Sequence, residues 1–264
     1  MYTLRILDVH WRLFPVSGLL IFPWCSGSAA FEKDGSMTAL SFELPDGSIK
    51  NVQVRHLLNA GYAGREQDEV QAHIAELAEL GVPGPTTTPA MYPVSPYLAQ
   101  QVSEVRVQHG RTSGEAEWAL VITDDGVLLT VACDHTDREL EVHGVAWSKN
   151  ASPDVLGRKA WRLEDVRDHL DRITLRGWVG EGETPDTLIQ DSSLEALLTP
   201  DYWLEVLAGR GLNQPGTVLI SGTVAMTGGV DQFARSWKVE MADPVTGESL
   251  DVQYVVEQMP QPIG

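Results

Sequence analysis

Basic side chains are scarce in this chain: 19 Lys and Arg stand against 37 Asp and Glu, for a net charge of −18. Such a surface repels phosphate backbones and anionic headgroups, which argues against nucleic acid and membranes as partners. Cysteine is scarcer still. Cys25 and Cys133 lie far apart, too few for a disulfide framework or a thiolate metal cluster, so a reducing, cytoplasmic setting is expected. The apolar run from Leu13 to Phe22 is too short to cross a bilayer and is broken by Pro15 and Gly18. No internal repeat or low-complexity tract is present.

What is there is ordinary globular composition. The 264 residues are 43% hydrophobic, enough to bury a core without covalent staples. Residues 1–36 read as an N-terminal extension, poorly structured or arising from a mis-assigned start. A packed strand and a secretory signal are the alternatives. Residues 37–264 read as a single domain.

From Met37 onward the pattern is mainly that of strands. Leu40–Leu44 alternates, Pro45-Asp46-Gly47 is a turn, and Val52–Leu58 predicts a returning strand. Asn59–Arg65 is glycine-rich and reads as a loop. Gln67–Leu80 predicts a helix, with Val70, Ile74 and Leu77 at helical spacing and Gly81 and Pro83 as the stop. Pro83–Pro96 reads as a connection. Strands are expected at Val105–Gln108, Glu115–Ile122 and Val127–Cys133, the last two joined through Asp124-Asp125-Gly126. Helical patterns follow at Leu163–Asp171 and Ser193–Ala208, a strand at Val218–Thr223, and a last hairpin over Trp237–Met241 and Leu250–Val256.

The chemistry concentrates in Thr112-Ser-Gly-Glu-Ala-Glu-Trp-Ala-Leu-Val-Ile122. Alternate residues of a strand share a face, so Glu115 and Glu117 point the same way, roughly 7 Å apart along the strand. A bare Glu-x-Glu is most simply a solvated edge. Here an apolar run follows, and the next strand ends in Cys133-Asp-His-Thr-Asp-Arg138, which brings Asp134 beside the pair if the hairpin forms. Three carboxylates without thiolates suit a hard cation such as Mg²⁺, Mn²⁺ or Ca²⁺.

Four segments in order resemble the fumarylacetoacetate-hydrolase superfamily. They are Gly114–Ile122, Asp134–Arg138, Trp147-Ser-Lys149 and Pro215–Thr223. Three runs, Asn59–Arg65, Tyr92–Tyr97 and Asp134–Arg138, are similar to the bacterial family DUF2848. The resemblance implies an α+β, mainly β fold, a mixed β-sandwich roll with a few peripheral helices, and a homodimer. It implies that Glu115, Glu117 and Asp134 bind the cation. Lys149 would lie close by, and Arg65, Tyr97, Arg138, Gly222 and Thr223 would contact substrate. His73 and Glu76, three apart on a helix, would form the pair that activates water; the plainer reading is a solvent-facing histidine. Val224 and Thr217 depart from the superfamily's pattern, which has proline after Gly-Thr and aspartate after Pro-Gly.

The implied activity is divalent-metal-dependent cleavage of a C–C bond in a small 2-oxo acid or 1,3-dicarbonyl substrate, by enolate stabilisation. Decarboxylation or tautomerisation at the same site is an alternative, as is a non-catalytic protein that binds a small acid.

Overall fold

The computed structural model describes residues 38–79 and 84–263, so the reading of residues 1–36 lies outside the described residues. The side chains of His73 and residues 76–79 are likewise outside those described.

Two sheets form the body. The larger has eight strands and runs in the order Ala90–Val94, His56–Gly61, Thr217–Ile220, Ala116–Thr123, Gly126–Asp134, Asp154–Leu156, Ala99–Gln100, with Trp161–Arg162 also pairing to Gly126–Asp134. The smaller has five: Thr187–Ser193, Thr174–Gly180, Ser236–Ala242, Ser249–Gln258 and Glu104–Val107. Both are mixed, since Thr217–Ile220 pairs in parallel with His56–Gly61 and Ser249–Gln258 in parallel with Glu104–Val107.

Strand alternation explains how the large sheet is buried on both faces. In Ala116–Thr123, Ala116, Trp118, Leu120 and Ile122 enter the core shared with Trp237, Val239 and Met241 of the small sheet. Ala119 and Val121 turn to the opposite face and meet Leu40, Phe42, Val52 and Val54 of the N-terminal hairpin. A strand covered on both faces reads as a continuous apolar run, as this one does. Each fully buried side chain of this size contributes about 1.5–3 kcal/mol by leaving water.

Several expectations need correction. Val52–Leu58 is two strands. Ile49–Gln53 closes the hairpin with Ala39–Glu43, and the chain then changes partners, with Arg55 and His56 both donating to the Gly216 carbonyl. Asn59–Gly61 belongs to the strand His56–Gly61 instead of a loop. Part of the proline-rich connection is the strand Ala90–Val94; Pro93 is tolerated because this strand is at the sheet's edge. The helix expected from Ser193 begins at Pro200, where the Thr199 hydroxyl accepts from the Tyr202 N–H. Leu163–Asp171 is one α-turn followed by a 3-10 segment. The hairpin of Thr174–Gly180 with Thr187–Ser193 was not expected: a glycine, Gly177, takes one inward position at a register shift, and the polar Gln190 faces inward on the partner strand. The helix Gln67–Glu79 and the last hairpin, Ser236–Ala242 with Ser249–Gln258, form where periodicity placed them.

Candidate metal centre

The centre lies at one end of the large sheet, on the face shared with the N-terminal hairpin. Along Ala116–Thr123 that face reads Val121, Ala119, Glu117, so apolar side chains give way to a carboxylate as the strand leaves the hairpin's cover. The next strand behaves alike: Leu128 and Ala132 face the hairpin, and Asp134 follows. Tight pairing, with Ala116 opposite Cys133 and the Asp134 N–H on the Glu115 carbonyl, carries Asp134 to the carboxylate pair. Oxygens of Glu115, Glu117 and Asp134 come within 4.8 Å of one another.

Two residues that the sequence did not single out complete the row. Asn59 follows Leu57 on this face of the neighbouring strand, and Asp154 pairs with Asp134 across the sheet. The Asn59 amide donates to Asp134 at 2.9 Å and to Asp154 at 3.0 Å. Asp154 had one visible trace, a carboxylate directly before Val155 and Leu156, but nothing local says that this short strand is central.

Positive charge arrives from the segment after Asp134. Asp137 caps the short helix Arg138–Glu141 by accepting from the N–H groups of Glu139 and Leu140. A second short helix, Val145–Lys149, then turns Lys149 inward. Its ammonium pairs with Asp134 and lies 3.2 Å from Glu115. Arg138 reaches the other Glu115 oxygen at 2.8 Å and also contacts Glu141 and the Ser113 hydroxyl.

The charges do not balance. Carboxyls of Glu115, Glu117, Asp134 and Asp154 meet two cations, Lys149 and Arg138. Burial opposes ionisation of Glu115, but Lys149 and Arg138 outweigh it and hold its pKa down to about 2. Glu117 is pushed well above the carboxylate range, first by burial and then by its acidic neighbours. Asp154 is raised too, by burial and by Asp134. Burial also works against the Lys149 ammonium, yet Asp134, Glu115 and Glu117 keep its pKa well above the ordinary lysine value.

The donor set fits a divalent cation. One Glu117 oxygen takes the Gly222 N–H at 2.6 Å, and the other is buried with no hydrogen-bond partner. An orphaned buried carboxylate oxygen is costly, and a hard cation satisfies it while supplying the missing positive charge.

The remaining sequence candidates fall differently. Gly222 and Thr223 were expected to offer an N–H and a hydroxyl to substrate. The N–H instead holds Glu117, and the Thr223 hydroxyl is engaged by the Ala116 carbonyl and the Gln190 amide. Arg65 forms a two-pronged pair with Asp171 and donates to the carbonyls of Leu197 and Leu194; none of these bonds reaches the acidic cluster. Tyr97 is 63% exposed, in a 3-10 turn at the surface. Lys149 and Arg138 do meet the cluster. His73 and Glu76 lie on the helix Gln67–Glu79, but their side chains are outside those described.

His135, next to Asp134, faces the other way. It is buried between the sheets, with ring nitrogens 2.9 Å from the Tyr254 and Thr112 hydroxyls. Burial, with Arg138 nearby, lowers its pKa to about 3. It is a neutral, structural imidazole.

The curled pair of sheets and its few helices form a fumarylacetoacetate-hydrolase-like fold, and solved structures share it. Cg1458 with inhibitor has a TM-score of 0.56 at 17% identity, covering 80% of this chain and 81% of that one. The 2-keto-3-deoxyarabinonate dehydratase gives 0.57 at 15% identity, over 81% and 77%. The same dehydratase complexed with magnesium and 2,5-dioxopentanoate gives 0.56 at 14%, over 81% and 77%. Residues 60–254 match the family described as "Protein of unknown function (DUF2848)", and the chain belongs to that family. No curated protein is significantly similar in sequence. Among the described residues, no helix is long and apolar enough to cross a membrane.

Proposed function

We propose that this protein is a divalent-metal-dependent enzyme that cleaves a C–C bond in a small 2-oxo acid or 1,3-dicarbonyl compound, as a hydrolase or lyase. The observation that carries this reading is the buried cluster of Glu115, Glu117 and Asp134, with one Glu117 oxygen left unpartnered. The substrate class is supported by the similar dehydratase, whose structure holds magnesium and 2,5-dioxopentanoate.

Glu115, Glu117 and Asp134 would hold Mg²⁺, Mn²⁺ or Ca²⁺. When bound, such a cation supplies Lewis-acid polarisation of a carbonyl and offsets the negative charge that develops on its oxygen. Asp134, Glu115 and Glu117 favour the ammonium form of Lys149. It neutralises surplus carboxylate charge and presents an ammonium to an anionic substrate. Arg138 fixes Glu115 from the opposite side and is the expected substrate contact that this reading keeps.

Water activation is assigned to His73, oriented by Glu76 three residues along the helix. His73 takes a proton from water, and the oxygen bonds to the carbonyl carbon. The C–C bond then breaks with its electron pair moving to the departing enolate, which is reprotonated. Decarboxylation or tautomerisation would use the same charge stabilisation without that water. The resemblance also implies a homodimer, which light scattering on the purified protein measures.

Turnover of acylpyruvates and oxaloacetate before and after metal removal tests the reading. Product analysis separates hydrolysis from decarboxylation. Turnover of a true substrate that is unchanged after thorough chelation would end the proposal.

A further inference from the structure

Asn59 reaches its partners across the inside of the large sheet. Its strand, His56–Gly61, is three places from Gly126–Asp134 and four from Asp154–Leu156 in the strand order. Neighbouring strands lie about 4.8 Å apart, so a flat sheet would hold Asn59 about 14 Å from the strand of Asp134. Its amide instead donates to Asp134 at 2.9 Å and to Asp154 at 3.0 Å. The sheet therefore curls on itself, and Asn59 spans the opening beyond the apolar side chains Leu57, Val121, Ala132 and Leu156. Asn59, Asp134 and Asp154 are all fully buried.

These bonds decide which carboxylate oxygens are left for a cation. Each oxygen of an ionised carboxylate has two lone pairs to offer. Asp134 Oδ2 takes both the Asn59 amide and the Lys149 ammonium, so both of its lone pairs are used. Asp134 Oδ1 takes the Thr136 hydroxyl at 3.1 Å and keeps one. Among the described residues, no other oxygen of the three carboxylates carries two donors. Glu115 gives one oxygen to Arg138 and the other to Lys149, and Glu117 gives one to Gly222. Asn59 Oδ1 is buried without a partner, so the amide is held through its nitrogen alone. Turned over, it would set an oxygen against two carboxylates.

We propose that Asn59 is a positioning residue that limits Asp134 to one oxygen toward the cation, and so sets which cation the centre prefers. The two oxygens of one carboxylate lie too close together to span the right angle of an octahedron. Magnesium and manganese hold to that octahedron. Calcium accepts roughly six to eight oxygens, with carboxylates bound through one oxygen or both. A one-oxygen Asp134 therefore favours the smaller ions. This rests on the metal-dependent reading above and deepens it, by choosing among the cations that it allows.

The test uses the full-length protein and two cations. Mn²⁺ binding is followed by electron paramagnetic resonance, and Ca²⁺ binding by its competition with Mn²⁺. Asn59→Leu keeps the volume and removes the donor. It weakens Mn²⁺ binding roughly 10-fold, as loss of an outer hydrogen bond to a ligand does, and Ca²⁺ binding by less than about twofold. The ratio of Ca²⁺ to Mn²⁺ affinity thus rises several-fold, a change that a loosened fold alone does not produce. Asp154→Asn is the control: its carbonyl still accepts from Asn59, so both affinities move together and the ratio holds. Wild type isotope-labelled at the aspartate carboxyls supplies a second measurement, which decides alone if Asn59→Leu does not fold. On Mn²⁺ addition its aspartate infrared bands show the wide splitting of one-oxygen binding.

An unchanged ratio in Asn59→Leu overturns the proposal, as does a narrow, two-oxygen splitting in wild type. So does an equal shift of the ratio in Asp154→Asn. In each case Mn²⁺ binding by wild type leaves the metal reading standing. Wild type that binds neither cation overturns both.

Discussion

Gly222 donates its N–H to Glu117 at 2.6 Å, joining two strand ends that are 105 residues apart in sequence. The bond leaves one oxygen of Glu117 as an unpartnered acceptor inside the acidic cluster. Gly222 adopts φ +84°, and a Cβ there would sit 3.0 Å from Ala63 Cβ. Only glycine holds this conformation without strain. Gly222→Ala should shift the N–H away from Glu117 and weaken Mn²⁺ binding by roughly tenfold, the lower end for loss of an outer-shell partner. Titration of Mn²⁺ followed by electron paramagnetic resonance measures this, and unchanged affinity would show that the bond does not orient Glu117.

Glu117→Gln should cost more in metal affinity than in stability. The carboxylate is fully buried and burdened by acidic neighbours, so a neutral amide of the same shape relieves repulsion in the metal-free protein. We expect metal-free Glu117→Gln to unfold at the wild-type temperature or above it. Added Mg²⁺ at 100 times the wild-type Kd should stabilise wild type by about 2.7 kcal/mol and the variant by much less. Calorimetric melting with and without Mg²⁺ decides the matter. A variant stabilised as strongly as wild type would remove Glu117 from the ligand set.

Lys149→Met leaves Glu115 and Asp134 with an uncompensated buried charge. Breaking a buried pair in this way typically costs about 3–5 kcal/mol. For a domain of this size that is a fall on the order of 10 °C in melting temperature. A divalent cation replaces part of the missing charge, so the deficit should shrink when Mg²⁺ is present. A deficit of equal size with and without Mg²⁺ would show that the lysine and the cation do not share those carboxylates.

His135 should make stability fall on acidification. Its pKa is depressed in the folded protein from 6.5 to about 3. Between those values the unfolded chain binds the extra proton and the folded one does not. The contribution is thus fully present above about pH 6.5 and is lost as pH falls toward 3. Its ceiling is on the order of 5 kcal/mol. Histidine nuclear magnetic resonance signals should show one imidazole still neutral at pH 5. Titration of every imidazole near pH 6–7 would contradict the neutral, buried assignment.

Much of this arrangement is legible in the sequence. Glu115 and Glu117 share a face because strands alternate, and Asp124-Asp125-Gly126 is strong enough turn chemistry to deliver Asp134 beside them. The helix Gln67–Glu79 was equally plain, since apolar spacing and the glycine–proline stop act locally. Asn59 and Asp154 were hidden for the opposite reason. Each is one polar residue in a short strand, and its meaning comes from a neighbour 75 or 20 residues away. Gly222 and Thr223 lie at the expected end of the sheet, where the Gly222 N–H meets Glu117 and the Thr223 hydroxyl meets the Ala116 carbonyl and the Gln190 amide. A sequence shows which donors exist and says nothing of which nearby acceptor reaches them first.

Taken alone, the sequence determined the acidic character of the chain, most of its strands, and the pairing of two glutamates on one face with a third carboxylate near. These follow from local rules of alternation, turns and charge. The family resemblance already implied that Lys149 lies close by; only the tertiary structure decided that Arg138 joins it on Glu115, that Glu117 keeps an open oxygen, and that Asn59 ties Asp134 to Asp154. Those contacts join residues far apart in the chain, and they form because hydrophobic burial of two sheet faces fixes the strand order.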